Sequence, residues 1–351
     1  MKTDFLKGLG AKLKTWEFAL LMILVAEFVV FGAVNPKFLA LNSLFSSINN
    51  YISICIISLF VTFVMITGGI DIQASSIVGL TSIVIGVSWS DLGLNIWVCI
   101  ILAIVVAAVC GAISGFFVAF CNVQPMVVTL GGSFLYSGIA LLISTLSSTP
   151  AYMGIGGFPG KTAEGIYTSF RLLGKWKLFD MIPIQLLIYI GLVVICYILL
   201  HKSKYGRKVF LVGINRNTAE LSGINSRLII MSTYVLTGIG AAIAGILLTA
   251  NVDSAKSDLG STFTLSIITA VVLGGTLSTG GKGSIIGTAL ASLVICIMRF
   301  GLPICFGVST QNLDLPMGIM LVVIIAGRAI TSRLKLSSGS IRKGRLVQKT
   351  H

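Results

Sequence analysis

The sequence predicts an all-α, polytopic membrane protein, and three observations lead there. Of 351 residues, 56% are hydrophobic and only 10% charged, with a mean hydropathy of +1.01; a soluble domain could not hide that much apolar surface. Apolar stretches of about 20 residues, the length that crosses a hydrocarbon core of about 30 Å, recur along the chain. The basic residues lie between and beyond those stretches. So little charge leaves no room for a large soluble domain, and residues 1–351 read as one transmembrane domain.

About ten spans are expected, at 16–34, 48–67, 74–90, 96–120, 125–146, 182–201, 228–249, 262–275, 283–299 and 315–331. The first follows an arm, 1–15, that carries Lys2, Lys7, Lys12 and Lys14. Its apolar run is long, is accompanied by Glu17 and Glu27, and lacks a clear Ala-x-Ala site, so a retained helix is expected rather than a signal peptide. The third and eighth spans are weak when taken alone. An even count places both termini on one side. The arm, the 202–227 connection (Lys202, Lys204, Arg207, Lys208, Arg216 and Arg227 against Glu220) and the tail from Arg328 onward share that side. A positive-inside bias makes it the cytoplasm, with 332–351 a basic cytoplasmic tail. The exception is the 147–181 loop, placed outside despite Lys161, Arg171, Lys175 and Lys177.

Between the second and third spans the chain reads Gly68-Gly69-Ile70-Asp71-Ile72-Gln73-Ala74-Ser75. A carboxylate at membrane depth costs about 2.5–3.5 kcal/mol on insertion scales. The paired glycines predict a broken helix, whose freed backbone groups must face protein or a wet cavity. A translocation pathway is expected here, with Gly68, Gly69, Asp71, Gln73 and Ser75 in it. The competing reading makes Asp71 the cap of the following helix. A weak internal repeat extends the pattern: Val61–Gly69 echoes Ile268–Gly275, and Ser76–Gly79 echoes Ser284–Gly287. Gly-interrupted segments at matching positions point to a transport site, which adds Gly274, Gly275 and Ser284. Glycines that merely let helices pack closely are the alternative.

Other function classes are disfavoured. The seven cysteines form no Cys-x-x-Cys pair, and most sit in apolar runs as small hydrophobes. With two histidines, neither a metal site, a cofactor nor catalytic residues are expected. The net charge of +14 follows from topology, and no basic face outside the membrane would track nucleic-acid phosphates. An ion-coupled secondary carrier would want several intramembrane acids, and only Glu17, Glu27 and Asp71 qualify.

The 202–227 connection is basic and amphipathic, and Asn217–Leu221 can form a short helix closed by Gly223. Such a helix could dock in a groove on a partner. Together, Gly68-Gly69-Ile70-Asp71, Tyr205-Gly206-Arg207 with Gly213 and Leu221-Ser222-Gly223-Ile224, and Val271–Gly275 with Gly280–Ser284 make the chain resemble the permease subunits of bacterial ABC importers for ribose and related sugars. The resemblance covers about residues 16 to 332. It implies a multi-pass protein of the bacterial inner membrane in which two permeases pair, ATP-binding subunits dock on cytoplasmic loops, and a periplasmic solute-binding protein delivers the substrate. It places the ATPase-facing segment within 203–224, through Tyr205, Gly206, Arg207, Gly213, Asn217, Ala219, Leu221, Ser222 and Gly223. Gly280-Gly281-Lys282-Gly283-Ser284 lacks the spacing of a Walker A loop, so ATP hydrolysis is expected of a partner and the chain is not itself an enzyme.

Within the family, Gly154–Pro159, Ser254–Gly260 and Ile267–Gly275 are most similar to permeases that import autoinducer-2, which pair with a second, different permease. Thr264-Leu265-Ser266 stands where typical sugar permeases carry a Glu-Leu-Asp-like triplet, and Gln73-Ala74-Ser75 replaces their Ser, apolar residue and Gly. The expected cargo is a small neutral polyhydroxylated solute: autoinducer-2, or alternatively ribose or another monosaccharide handled by a self-paired permease.

Overall fold

The computed structural model describes residues 16–149, 153–160, 169–179, 181–309, 312–323 and 326; the expected arm 1–15 and tail 332–351 lie outside them. Among the described residues the first helix is α1 (Trp16–Val34) and, after a 3₁₀ turn at Pro36–Leu39, α2 (Leu41–Ile66) follows. Then come α3 (Ala74–Ser90), α4 (Ile96–Ala119), α5 (Pro125–Leu146) and the short α6 (Ser169–Lys175). Two-residue strands β1 (Lys177–Leu178) and β2 (Ile182–Pro183) pair antiparallel. The chain continues through α7 (Ile184–Tyr197), α8 (Lys204–Ile214), α9 (Arg216–Leu221), α10 (Ser226–Val252), α11 (Thr264–Leu273) and α12 (Ile285–Phe306) to α13 (Asp314–Val323).

Apolar helices fall at all the expected positions, and seven of them are long and apolar enough to cross a membrane: α1, α2, α4, α5, α7 with its extension to Lys202, α10 and α12. The chain is a mostly helical, multi-pass membrane protein. The remaining apolar helices, α3, α11 and α13, are shorter. At 1.5 Å per residue, α11 rises about 15 Å, half a hydrocarbon core. Residues 327–331 of the last expected span lie outside the described residues.

Two boundaries differ from the sequence expectation for physical reasons. The ninth span was expected to stop at Arg299, but α12 runs on to Phe306. Arg299 is buried, donates to Ser266 Oγ at 2.6 Å and lies over the Tyr51 ring, so a charge that reads as a boundary is instead held inside. The second span was expected from residue 48, whereas α2 starts at Leu41; amides of its first turns bond to the far end of α10. The 202–227 connection is two successive helices, with Gly223 at φ +78° behind α9.

Among the long helices α2 and α10 are the most buried. α10 packs along α4, α2 and α3, while α12 lies against α2 and α1. Small residues bring the backbones together: a Cβ at Gly111 of α4 would collide with the Tyr234 carbonyl of α10, and one at Gly238 with the Ala107 carbonyl. The bundle has two distinct ends. α8 meets the C-terminal end of α2 at Ile66. At the other end α6 packs on Ala250, Arg171 Nε donates to Asp253 Oδ1 at 2.8 Å, and Ile155 bridges to Ala255. Residues 153–160 and 169–175 and the 202–227 connection therefore lie at opposite ends, and Arg171 is charge-compensated where it sits.

Candidate functional site

Two interruptions and one connecting helix converge. At the first, α2 ends at Ile66 and α3 starts at Ala74. Gly68 has φ +83°, open only at a steep cost to a residue with a Cβ. A Cβ at Gly69 would stand 2.6 Å from Tyr234 Oη. Asp71 is 2% exposed, and its Oδ1 accepts the Gln73 backbone N–H at 3.1 Å. That bond closes a turn just ahead of α3, whose N-cap is Gln73, while the other carboxylate oxygen, Oδ2, is buried with no hydrogen-bond partner among the described residues. Gln73 Oε1 accepts from Ser114 Oγ at 2.6 Å, and among the described residues neither Gln73 Nε2 nor the buried Tyr234 Oη has a partner. Thr129 Oγ1 satisfies the Ile70 carbonyl at 3.0 Å.

An unsatisfied buried polar group costs about 1–3 kcal/mol. Three of them lie on residues that flank one helix break, where water could complete the bonding. A cavity of about 240 Å³ opens beside it, lined by Gly68, Gly69, Gln124, Arg216 and Tyr234 among others.

At the second interruption α11 ends at Leu273 and α12 starts at Ile285. Here the expected pathway residues divide. Gly274 lets the two helix ends touch, since its Cβ would stand 2.5 Å from the Thr288 backbone. Ser284 caps α12, accepting from Gly287 N–H at 3.1 Å and donating to Glu17 Oε1 at 3.3 Å. Gly275 holds φ +100° in the turn. Ser75 ties the start of α3 to the start of α11, the end away from the second interruption, through a 2.5 Å hydroxyl pair with Thr264. The turns themselves meet at Ile66, whose carbonyl accepts the Gly281 N–H at 2.8 Å.

The connecting helix is α8. Ser203 caps it, accepting from Gly206 N–H at 3.0 Å. Gly206 lies flush on the Leu200 carbonyl at the end of α7, and Gly213 lies on the Ile66 carbonyl. Tyr205 Oη pairs with Ser232 Oγ of α10 at 2.8 Å. α9 is anchored by Arg216, which donates to the Ala119 carbonyl and Asn122 Oδ1, both at 3.1 Å. Of the expected ATPase-facing residues, Gly206 and Ala219 are buried and Tyr205 and Gly213 partly so, while Arg207, Asn217, Leu221, Ser222 and Gly223 are exposed. Leu211 and Ile214, 48% and 69% exposed, line a groove of about 150 Å³ between α8 and α9, and Leu221 at the end of α9 is 90% exposed.

A family described as a branched-chain amino acid transport system permease component matches residues 43–325, a range holding both interruptions and the α8–α9 pair. The chain belongs to that permease family. It is similar to proteins named autoinducer 2 import system permease protein LsrD: 38% identical to that of Escherichia coli (strain K12) and of Shigella flexneri, each over 316 residues, 90% of this chain and 92% of the relative. The one from Photorhabdus laumondii is 39% identical over the same shares. No solved structure matches significantly.

Three contributors to this permease's site were not picked out from the sequence. Tyr234 reads as one more aromatic in an apolar helix. Arg216 reads as a topology-setting charge, although its position just after Asn215, the α9 cap, was a local signal. Ile66 acts through its carbonyl, which no side-chain pattern reveals.

Proposed function

We propose that this permease carries a small neutral polyhydroxylated solute, autoinducer-2, into the cytoplasm as the membrane subunit of an ATP-driven importer. One observation carries the reading: a single helix pair, α8–α9, presents an exposed apolar groove on one side and on the other rests, through Gly213, on the point where both interruptions meet. Apolar residues exposed around a groove beyond a membrane-spanning helix suit a partner protein, and the partner in this reading is an ATP-binding subunit. Hydrolysis belongs to that subunit, and this chain has no catalytic residues.

In the full arrangement the chain crosses the membrane ten times with both termini cytoplasmic, in the bacterial inner membrane. A periplasmic binding protein delivers solute, and a second, different permease completes the pore. When the ATPase pair closes, it pushes α8. Gly213 transmits the push to Ile66 and Gly281, and the turns around Gly68–Ser75 and Gly274–Ser284 shift access from outside to inside. Asp71 Oδ2, Gln73 Nε2 and Tyr234 Oη then exchange bonds with water or solute hydroxyls.

The test is solute uptake by cells expressing this chain with its candidate ATPase, binding protein and second permease, each omitted in turn, with autoinducer-2 and ribose offered side by side. Autoinducer-2 uptake that needs the second permease is the expected result. Ribose uptake without it would move the assignment to a self-paired sugar permease.

A further inference from the structure

At the end of the bundle away from α8–α9 lies a second cavity, about 470 Å³, between the first turns of α2, the last turn of α10 and the α6–β2 segment. Its volume falls in the range of about 300–1,000 Å³ usual for small-molecule sites. The wall is built from three amides in series. Asn49 Nδ2 donates to Asn251 Oδ1 at 2.7 Å and to the Gly174 carbonyl at 3.1 Å. Asn251 Nδ2 in turn donates to Asn50 Oδ1 at 2.9 Å. The relay ends with two unused groups: Asn50 Nδ2 donates to nothing among the described residues, and Asn49 Oδ1 is buried with no partner. Trp176, 38% exposed, and Lys175 and Lys177 complete the lining.

We infer that this cavity is the outward-facing acceptance site for the solute, and that it takes a neutral polyhydroxylated molecule. A hydroxyl donates and accepts at once, as an amide does, so a polyol can accept from the free Asn50 Nδ2 at the exposed end of the relay. The indole supplies a flat apolar face for the solute's C–H edges. Lys175 and Lys177 in the lining disfavour a cation, and an apolar ligand would leave the amides unsatisfied; an anionic probe sets the lysines against the amides. From Asn50 the α2 axis leads over 16 residues, about 24 Å, to Ile66 at the meeting point of the two interruptions, so the site sits at the far end of the helix on which α8 presses. The inference rests on the transport reading above and adds where solute is first held.

The experiment uses Ser46, an exposed residue of the lining. The Ser46→Cys variant, with Cys121→Ala removing the exposed native thiol, is reconstituted with its partner subunits in proteoliposomes. It is then labelled with a membrane-impermeant maleimide. Autoinducer-2 and ribose are the neutral probes and ribose 5-phosphate the charged one. A neutral probe is expected to slow labelling, and Asn49→Ala or the surface change Trp176→Ala to raise the half-protecting concentration about tenfold, the effect of losing one good polar or packing contact. Labelling that no neutral probe slows, in vesicles that accumulate the same probe on ATP, overturns the site and leaves the transport reading standing. Protection stronger with ribose 5-phosphate overturns the neutral chemistry. Protection by a neutral probe without ATP-driven accumulation upholds the site and removes the transport reading.

Discussion

Gly213→Ala adds a single methyl at the junction of α8 with both interruptions. The new Cβ would overlap the Ile66 carbonyl oxygen and stand 2.8 Å from Gly281 N and 2.9 Å from Ile66 C. All are backbone atoms, so no side chain can swing aside. Either α8 moves out, or the Gly281 N–H to Ile66 hydrogen bond, 2.8 Å long, opens. Overpacking costs about 1–3 kcal/mol, and opening the hydrogen bond adds about 0.5–1.5 kcal/mol net, together about 1.5–4.5 kcal/mol. At about 1.4 kcal/mol per decade, a conformational equilibrium transmitted through this contact shifts by at least about tenfold. The assay is solute-stimulated ATP hydrolysis and uptake by the assembled complex, with Gly191→Ala as control: nothing lies within 4 Å of a Cβ there, and Ala is favoured over Gly inside a helix by about 0.5–1 kcal/mol. The variant at 213 should keep basal ATP hydrolysis and lose most solute stimulation, while the one at 191 behaves as wild type. Wild-type uptake by Gly213→Ala would refute transmission through this contact.

Asp71→Asn keeps an oxygen to accept from Gln73 N–H, so its melting temperature should match wild type while uptake is lost; Asp71→Ala also removes that turn bond and should cost about 0.5–1.5 kcal/mol of stability. Unimpaired uptake by the Asn variant takes Asp71 out of the pathway. Arg299→Met replaces a buried cation that has no salt bridge among the described residues and should be neutral or stabilising by up to about 4 kcal/mol. Ser266→Ala strips the same guanidinium of a hydrogen bond and should destabilise by about 1–3 kcal/mol; thermal unfolding in detergent that ranks the two the other way contradicts the assignment. Asp91, exposed at the end of α3, is held below the usual carboxylate range by the hydroxyls of Ser148 and Ser147. A lowered folded value means its tie to Ser148 contributes fully above the ordinary carboxylate range and is lost as pH falls through the folded value. Hydrogen exchange at the Ser148 amide should therefore accelerate on acidification, and the same acceleration in Asp91→Asn would rule the carboxylate out.

The helices were legible because hydropathy reports the solvent of a segment directly, and even the half-length α11 left a readable run from Ile267 to Leu273. The interruptions were legible because Gly68-Gly69 and Gly274-Gly275 punctuate those runs. Their division of labour was not. Gly274 and Ser284 share the composition of the first interruption, but pack and cap, because backbone proximity is a tertiary fact that the residue type only permits. Arg299 misled for the complementary reason: a lone charge reads as the edge of the membrane unless its partners, here Ser266 and Tyr51, are known. The Asn49–Asn251–Asn50 relay joins residues some 200 positions apart, and nothing local announces it.

The most direct measurement is uptake of autoinducer-2 into energised cells carrying the complete importer, comparing ATP depletion with dissipation of the ion gradients. Uptake that stops with ATP and survives loss of the gradients is the predicted result. Uptake that continues without ATP and collapses with the gradients would make the chain an ion-coupled carrier and contradict the coupling assigned to α8–α9.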